Sequence, residues 1–217
     1  MKAIHQLIEE QVRRWEILRQ ERQERKPLPV VTLSREPGSG GNLVAKLVAD
    51  RLKLDLFHQE IINAMAESAD TSVRVIRTLD EKGVSMIEDW VSAAISDRHL
   101  WPDQMSHVLM RVIGTIGKHG KAIIVGRGAN FVLPPENRFR VRIIAPMDRR
   151  VNCVAESYGI SKDEARRRVM RTESDRRAFV RKYFHSDIAD PANYDMILNT
   201  GTLSIESAAD AICCSVQ

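Results

Sequence analysis

The sequence predicts an α/β fold in which a mostly parallel sheet is covered by helices on both faces. Two observations support this prediction. Short β-branched and apolar runs alternate with longer segments of helical periodicity, and a glycine-rich turn joins the first of these runs directly to a helix. The 217 residues suffice for one sizeable core, and this length argues against two large domains.

The N-terminal segment, residues 1–26, is predicted to be a charged amphipathic helix that Pro27 and Pro29 end. Its one-sided apolar stripe consists of Ile4, Ile8, Val12, Trp15 and Leu18. The stripe either packs on the surface of the chain's own domain or forms a homodimer or another partner contact. We therefore divide the chain into an N-terminal helical extension, residues 1–28, and a main domain, residues 29–217.

The main domain begins with a strand, a glycine-rich turn and a helix. Val30–Leu33 is a β-branched run typical of a buried strand, and residues 40–53 have helical periodicity. The apolar residues predicted on one side of this helix are Leu43, Leu47, Val48 and Leu52. A strand at Leu54–Phe57 and a mostly helical region at residues 59–118 follow. Further strands are predicted at 121–125, 139–144 and 194–199, and further helices from about Asp148, in the basic segment 161–185, and from Ser204.

The carboxyl ends of parallel strands form one edge of such a sheet, and ligands bind there. This edge should therefore hold three segments: Ser34–Asn42, Gly126–Gly128 and the loop that follows Ile144. All three follow predicted strands directly.

The glycine-rich turn has the setting of a phosphate-binding loop but lacks its usual side chains. In the pattern G-x-x-x-x-G-K-[ST], backbone N–H groups cradle phosphates, the lysine neutralises them and the hydroxyl holds magnesium. With Gly40 as the second glycine, Arg35 replaces the first glycine, Gly41 the lysine and Asn42 the Ser/Thr. The turn and the helix N-terminus still form an anion site, and the Arg35 guanidinium can supply the missing positive charge. A simple strand–turn–helix junction remains the alternative.

Two further basic segments lie outside this loop. Arg127 stands between Gly126 and Gly128 at the end of a predicted strand, where it binds a ligand or is merely solvated or ion-paired. The basic helix contains Arg171, Asp175, Arg176, Arg177 and Arg181. It is either a solvated charged helix or a mobile lid whose arginines close over a phosphate chain.

Composition limits the class of protein. The sequence has no run of about 18 apolar residues and no apolar signal core, so we expect no membrane span and no secretion. The three cysteines, Cys153, Cys213 and Cys214, favour a reducing, cytoplasmic location, and no His/Cys cluster has metal-ligand spacing. The net charge of +4 fits a nucleotide ligand, whereas an aromatic content of 5% argues against binding to single-stranded nucleic acid.

In the order of its motifs the sequence resembles the cytidylate-kinase-like branch of the P-loop nucleoside-monophosphate kinases. The motifs that carry this resemblance span residues 30 to about 200. They are S34-R-E-P-G-S-G-G41, E60-I-I62, V125-G-R-G-A-N-F-V-L133, R171-x-x-x-D-R176 and Y194-D-M-I-L-N-T200.

The resemblance implies a five-stranded parallel sheet, a helical acceptor-binding region at about 59–118 and a lid at about 161–185. It implies transfer of the γ-phosphoryl group of ATP, with Mg²⁺, to CMP or dCMP. The resemblance implies that Arg127 contacts the acceptor and that arginines of the basic helix form the lid. From the residues themselves we assign to the ATP phosphates Ser34, Arg35, Gly38, Ser39, Gly40, Gly41 and Asn42, and the Ser39 hydroxyl is the candidate metal ligand. We place Asp175 with Arg127 on the acceptor side, where it could orient the lid arginines, and the candidate catalytic arginines are Arg35, Arg171, Arg176 and Arg181.

The sequence departs from cytidylate kinases proper at three places. The loop lysine and the hydroxyl residue after it are absent, Gly128 stands where the G-R-D signature has its aspartate, and His58-Gln59 stands where the branch more often has an acidic residue. A nucleotide-binding regulator with little kinase turnover is therefore an alternative.

Overall fold

A computed structural model describes residues 3–20, 30–100 and 103–216. Within these residues the predicted fold is confirmed: five strands form one parallel sheet in the order β2-β3-β1-β4-β5. The strands are β1 (Val30–Arg35), β2 (Asp55–Phe57), β3 (Ala122–Val125), β4 (Arg138–Ile144) and β5 (Met196–Asn199). β1 lies at the centre, so the glycine-rich turn that follows it emerges at the middle of the carboxyl edge.

Helices cover both faces of the sheet. In chain order they are α1 (Ile4–Gln20), α2 (Gly41–Leu52), α3 (Gln59–Glu67), α4 (Ala69–Arg77), α5 (Glu81–Asp97), α6 (Gln104–His119), α7 (Ala129–Val132), α8 (Met147–Tyr158), α9 (Lys162–Phe184) and α10 (Ile205–Val216). Alternate residues of β3 point to opposite faces: Ile123 and Val125 pack with α2 and α10, whereas Ala122 and Ile124 pack with the larger helical region.

Helix α2 packs mainly through small residues. Val44, Ala45, Val48 and Ala49 are buried, while Leu43, which the periodicity places on the apolar side, is 58% exposed. Helix α10 lies against α2 with its own small residues, Ala208 and Ala209, at the interface. Alanines allow this close approach, so the buried face of α2 is rotated away from Leu43.

Helix α1 lies against α3 and the edge strand β2. Ile8, Val12 and Trp15 are buried there, and the Trp15 ring stacks on His119 at 4.3 Å between centroids. Ile4 and Leu18, the ends of the predicted stripe, are exposed. Pro27 and Pro29 lie outside the described residues.

Helices α8 and α9 form a hairpin with a small core of its own, made by Val151, Val154, Ala165 and Val169. The C-terminal end of α9 joins the large helical core through Val180 and Phe184. The hairpin therefore stands over the carboxyl edge of the sheet. Among the described residues, no helix is long and apolar enough to span a membrane.

Candidate active site

The glycine-rich turn is shaped by close backbone packing. Gly38 and Gly40 have left-handed φ angles of 78° and 74°, and a Cβ added at Gly38 would lie 2.4 Å from the Arg150 carbonyl oxygen. Only glycine fits these positions without strain. Gly40 caps the N-terminus of α2, and it has no side chain to make a cap hydrogen bond. The helix therefore presents its N-terminal dipole to the cavity beside the turn, as an anion site requires.

Arg35 lies beneath this turn with its side chain buried. Its Nε donates to Asn42 Oδ1 at 3.2 Å, and Nη2 donates to Gln59 Oε1 at 3.4 Å. Burial lowers the pKa of Arg35 to about 9, the nearby Arg176 and Arg127 add to the effect, and Glu60 opposes it. Both hydrogen bonds are to neutral amides, so within the described part of the chain this guanidinium has no ion-pair partner.

Arg176 of α9 contacts the main chain of Arg35 from the side of the α8–α9 hairpin. Its Nη1 donates to the main-chain oxygen of Arg35 at 2.8 Å. Burial and the neighbouring Arg142 lower the pKa of Arg176. Two partly desolvated cations thus lie side by side, and an anion between them would relieve both the desolvation and the repulsion.

Arg127 lies two residues after the end of β3. The N–H of Gly126 donates to Leu33 O at 3.0 Å, which holds the Arg127 turn beside β1. The Arg127 guanidinium lies 5.2 Å from the Phe179 ring centroid, and burial lowers its pKa. Among the described residues, its buried Nε has no hydrogen-bond partner, and neither has the buried Nδ2 of Asn130. Unsatisfied buried donors are uncommon in native proteins, and a ligand in the adjoining cavity could accept hydrogen bonds from these two.

Two cavities meet at these arginines, and we name them after the ligands that the sequence resemblance would place in them. The first, which we call the acceptor cavity, has a volume of about 300 Å³ and lies between β1, the Arg127 turn and α9. Residues that line it include Ser34, Arg127, Asn130, Phe131, Asp175 and Phe179. The second, which we call the donor cavity, has a volume of about 540 Å³ and lies between the glycine-rich turn and the α8–α9 hairpin. Its lining includes Gly38, Gly40, Gly41, Asn42, Tyr158 and Arg168.

Arg35, Thr172 and Arg176 line both cavities. A group bound in one cavity and a group bound in the other would therefore face each other across two arginines. This is the arrangement that transfer of a charged group between two bound molecules requires, because positioning and charge stabilisation supply most of the catalysis of phosphoryl transfer.

The structure brings together most of the predicted site residues, although four, Ser34, Ser39, Arg171 and Arg181, lie differently from the expectation. Ser34 lines the acceptor cavity rather than the donor cavity, and its Oγ is bonded to Arg142. Arg171 and Arg181 are exposed on the outer side of α9, and neither belongs to the lining of the two cavities.

The candidate metal ligand does not fit its role. Ser39 is buried, and its hydroxyl donates to the Glu36 carbonyl oxygen at 2.9 Å, so its oxygen does not face the donor cavity. In the part of the chain that the structure describes, no group of three or more His, Cys, Asp or Glu residues could hold a metal ion.

Several residues of the site were not predicted from the sequence. They are Glu36, Gln59, Asn130, Arg142 and Arg150. Arg142 alone carried a usable signal, because a charge at an inward-facing position of a strand as apolar as Val141–Ile144 is unusual. Its Nη1 donates to Ser34 Oγ at 3.0 Å, and its guanidinium lies over the Tyr194 ring.

Comparison with known proteins agrees with the geometry. Residues 30–202 match the sequence profile of the cytidylate kinase-like family. The chain is 25% identical to a cytidylate kinase of Ignicoccus hospitalis over 85% of this chain and 97% of that one. It is 29% identical to a cytidylate kinase of Pyrococcus horikoshii over 82% of both chains.

A solved structure has a similar fold. An uncharacterized protein from Eubacterium ventriosum superposes with a TM-score of 0.70 at 21% identity, over 87% of this chain and 98% of that one. This similarity concerns the fold alone.

Proposed function

Because the chain belongs to the cytidylate kinase-like family, we propose that it transfers the γ-phosphoryl group of ATP to a nucleoside monophosphate of the CMP or dCMP type. The observation that carries the proposal is the meeting of two cavities at Arg35 and Arg176. Since the relatives from Ignicoccus hospitalis and Pyrococcus horikoshii are cytidylate kinases, cytidine nucleotides are the first acceptors to test.

In this proposal the donor cavity holds MgATP. The amides of the glycine-rich turn and the N-terminus of α2 bind the β- and γ-phosphates, and Arg35 supplies the charge that a loop lysine supplies elsewhere. Support comes from the position of Arg35, which lies directly beneath Gly41 with its Cβ 2.5 Å from where a Gly41 Cβ would be. The Arg35 side chain therefore occupies the space that the first side-chain atoms of a lysine at residue 41 would need.

The acceptor cavity holds the monophosphate. Arg127 binds the acceptor phosphate, and the free Nδ2 of Asn130 offers a hydrogen bond to a carbonyl oxygen such as that of a pyrimidine base. Phe131 and Phe179 supply an apolar wall for the base. Asp175, in the same lining, accepts hydrogen bonds from the ribose or orients a neighbouring arginine.

The reaction needs no strong base. An oxygen of the acceptor phosphate attacks the γ-phosphorus, the bond between that phosphorus and the bridging oxygen breaks, and ADP leaves with the electron pair. Arg35 and Arg176 stabilise the charge on the transferring group, and the α8–α9 hairpin excludes water from it.

The test is a measurement of ADP formation by the purified protein with MgATP and each common nucleoside monophosphate in turn, with identification of the diphosphate product. We expect CMP or dCMP to accelerate ADP formation and to yield CDP or dCDP. ADP formation that no monophosphate raises above the rate with ATP alone would contradict the proposal.

The second candidate is a nucleotide-binding regulator with little turnover. The observation that favours it is the bonding of Arg35 to Asn42 and Gln59, which occupies the guanidinium donors Nε and Nη2. A melting experiment separates the two candidates from a protein without a phosphate site. ATP at 100 times its dissociation constant should stabilise the fold by about 2.7 kcal/mol in both cases, and only the kinase forms a diphosphate product.

A further inference from the structure

A buried chain of ion pairs connects the glycine-rich turn to α9, and the proposed function does not use it. Glu36 lies in the turn, Arg150 in the first part of α8 and Glu173 on α9. Arg150 Nη1 donates to Glu173 Oε2 at 2.8 Å, and Arg150 Nε lies 3.4 Å from Glu36 Oε2. We call these three residues the loop–helix bridge.

The side chains of the bridge are mostly shielded from solvent, and their charged groups have hydrogen-bond or ion-pair partners. The Arg150 side chain is only 7% exposed, and its Nε also donates to Ala145 O at 3.0 Å. The Glu36 carboxylate accepts a hydrogen bond from the Ala145 N–H at 3.0 Å and lies 3.8 Å from Arg142. Burial alone would raise the pKa of Glu173, but hydrogen bonds from Arg150 and Arg177 lower it below its ordinary value. Removing one member would leave the others with fewer opposite charges: without the Glu173 charge, Arg150 would keep only Glu36 as an ion-pair partner among the described residues.

The bridge sits beside the contact that brings Arg176 to the site. Glu173 and Arg176 are three residues apart and hence on neighbouring positions of one helical face. One turn of α9 therefore contacts the glycine-rich turn twice, through Glu173 to Arg150 and Glu36, and through Arg176 to the Arg35 oxygen. The Arg150 main chain also supports Gly38 directly, since its oxygen would lie 2.4 Å from a Gly38 Cβ.

We propose that Glu173 is a positioning residue, which, through Arg150 and Glu36, holds Arg176 of α9 against the glycine-rich turn. This inference rests on the proposed function for its effect on turnover. The contacts that connect α9 to the glycine-rich turn exist in the protein without substrate, so their effect on local stability can be measured there.

The first test is amide hydrogen exchange on the free protein. Glu173→Gln should raise exchange in residues 36–41 and 170–178 by about tenfold or more, because both segments lose a shared buried contact. Arg177→Gln is the matched control, since Arg177 bonds the other oxygen of the same carboxylate from an exposed position. It should change exchange by less than about twofold. Unchanged protection of residues 36–41 in Glu173→Gln would overturn the connection.

The second test is a double-mutant cycle on turnover. Glu173→Gln should lower kcat by about 10- to 100-fold with little change in KM for ATP, because the residue acts on the position of Arg176 rather than on ATP. In an Arg176→Ala background the same change should cost less than about threefold. Additive losses would show that Glu173 does not act through Arg176 and would overturn the assignment.

A second variant covers the case in which Glu173→Gln does not fold. Arg150→Lys keeps the buried charge but cannot reach both carboxylates in the same fork geometry, so it should raise exchange in the same two segments. A wild-type protein without turnover on any monophosphate would defeat the proposed function. The exchange experiment would still decide whether the bridge connects α9 to the turn.

Discussion

Three arginines at the meeting of the two cavities, Arg35, Arg127 and Arg176, differ from Arg171 and Arg181 on the outer face of α9, although the sequence suggested the same lid role for Arg171, Arg176 and Arg181. Arg35, Arg127 and Arg176 converge on one point, and burial lowers the pKa of each. Arg171 and Arg181 are exposed and have no hydrogen bond or ion pair within the described residues.

The difference shows that the convergence of three partly desolvated arginines on one place, rather than the number of basic residues or burial alone, distinguishes the candidate site. Burial also lowers the pKa of Arg98 and Arg138, but these two line neither cavity. A solvated arginine costs little folding free energy, so its presence says little about function. A desolvated arginine beside others of the same charge costs folding free energy, which a bound anion would offset. The two groups should therefore respond differently to substitution, with effects on turnover that range from an almost complete loss to almost no change.

Arg35→Met should reduce phosphoryl transfer by about 10³-fold or more, because the loop loses the replacement for the lysine charge. The side chain is buried and packs against Gly41 and Gly126, so methionine is a better test than alanine. Arg35→Lys should recover only part of the rate, since the bidentate geometry is lost. Unchanged turnover together with unchanged ATP affinity in Arg35→Met would indicate a decayed loop.

The same variant should be more stable than the wild type without ligand. Since folding lowers the pKa of Arg35 from 12.5 to about 9, Arg35 stays charged at pH 7, but the folded state stabilises that charge less than the unfolded state does. Removing the charge should raise the free energy of unfolding by about 1–3 kcal/mol at pH 7. This advantage should shrink as the pH rises above about 9, where Arg35 of the folded wild type begins to lose its proton. Thermal or denaturant unfolding at several pH values measures this difference in stability between the variant and the wild type. A destabilised variant would contradict the account.

Arg176→Ala should lower kcat by about 100-fold, whereas Arg171→Ala and Arg181→Ala should each lower it by less than about threefold. The three variants change the same residue type on one helix, so each outer arginine is a matched control for the inner one. Steady-state kinetics at saturating ATP and CMP provides the measurement. Equal losses at Arg171 and Arg176 would mean that α9 rotates during the reaction.

Arg127→Ala should raise KM for the acceptor by about 10- to 100-fold and leave ATP affinity within about threefold. Arg127 lines the acceptor cavity and is absent from the lining of the donor cavity. Initial rates with each substrate varied in turn separate the two constants. A parallel loss of ATP affinity would place Arg127 on the donor side.

Gly41→Lys should fail to improve the enzyme, although it restores the residue that such loops usually carry. Gly41 is not in the left-handed region, so backbone strain is not the obstacle. The obstacle is space, because a Cβ at residue 41 would lie 2.5 Å from the Arg35 Cβ. We expect a loss of about 1–3 kcal/mol in stability and turnover no higher than that of the wild type. A faster Gly41→Lys enzyme would refute the view that Arg35 replaces the lysine.

The sequence predicted the architecture because the strands are short apolar runs bounded by turns. All five strands and the carboxyl edge that gathers Arg35, Arg127 and the loop after Ile144 follow from that pattern. Helical periodicity did not divide the basic residues of α9 into inner and outer faces, because that helix contains few apolar residues to define a buried side. The position of α9 is set partly by the loop–helix bridge, whose members come from three separate elements.

The glycine-rich turn shows, for single residues, the same limit of prediction from sequence. The sequence identified Arg35 as the candidate cation, yet it gave no indication that the side chain would be buried under Gly41 and bonded to Gln59. Gln59 and Asn130 were not expected because an amide side chain acquires a role only through its surroundings. Those surroundings are formed by residues distant in the chain.

The central claim is that the two cavities form one site for two nucleotides, and a single binding measurement tests it most directly. Adenosine and cytidine joined through four or five phosphates would fill both cavities at once and pass between Arg35 and Arg176. Calorimetric titration should give an affinity at least about 100-fold higher than that for ATP, because the second nucleotide binds without a further loss of translational freedom. An affinity no higher than that for ATP, with CMP still able to bind beside the linked compound, would contradict the account.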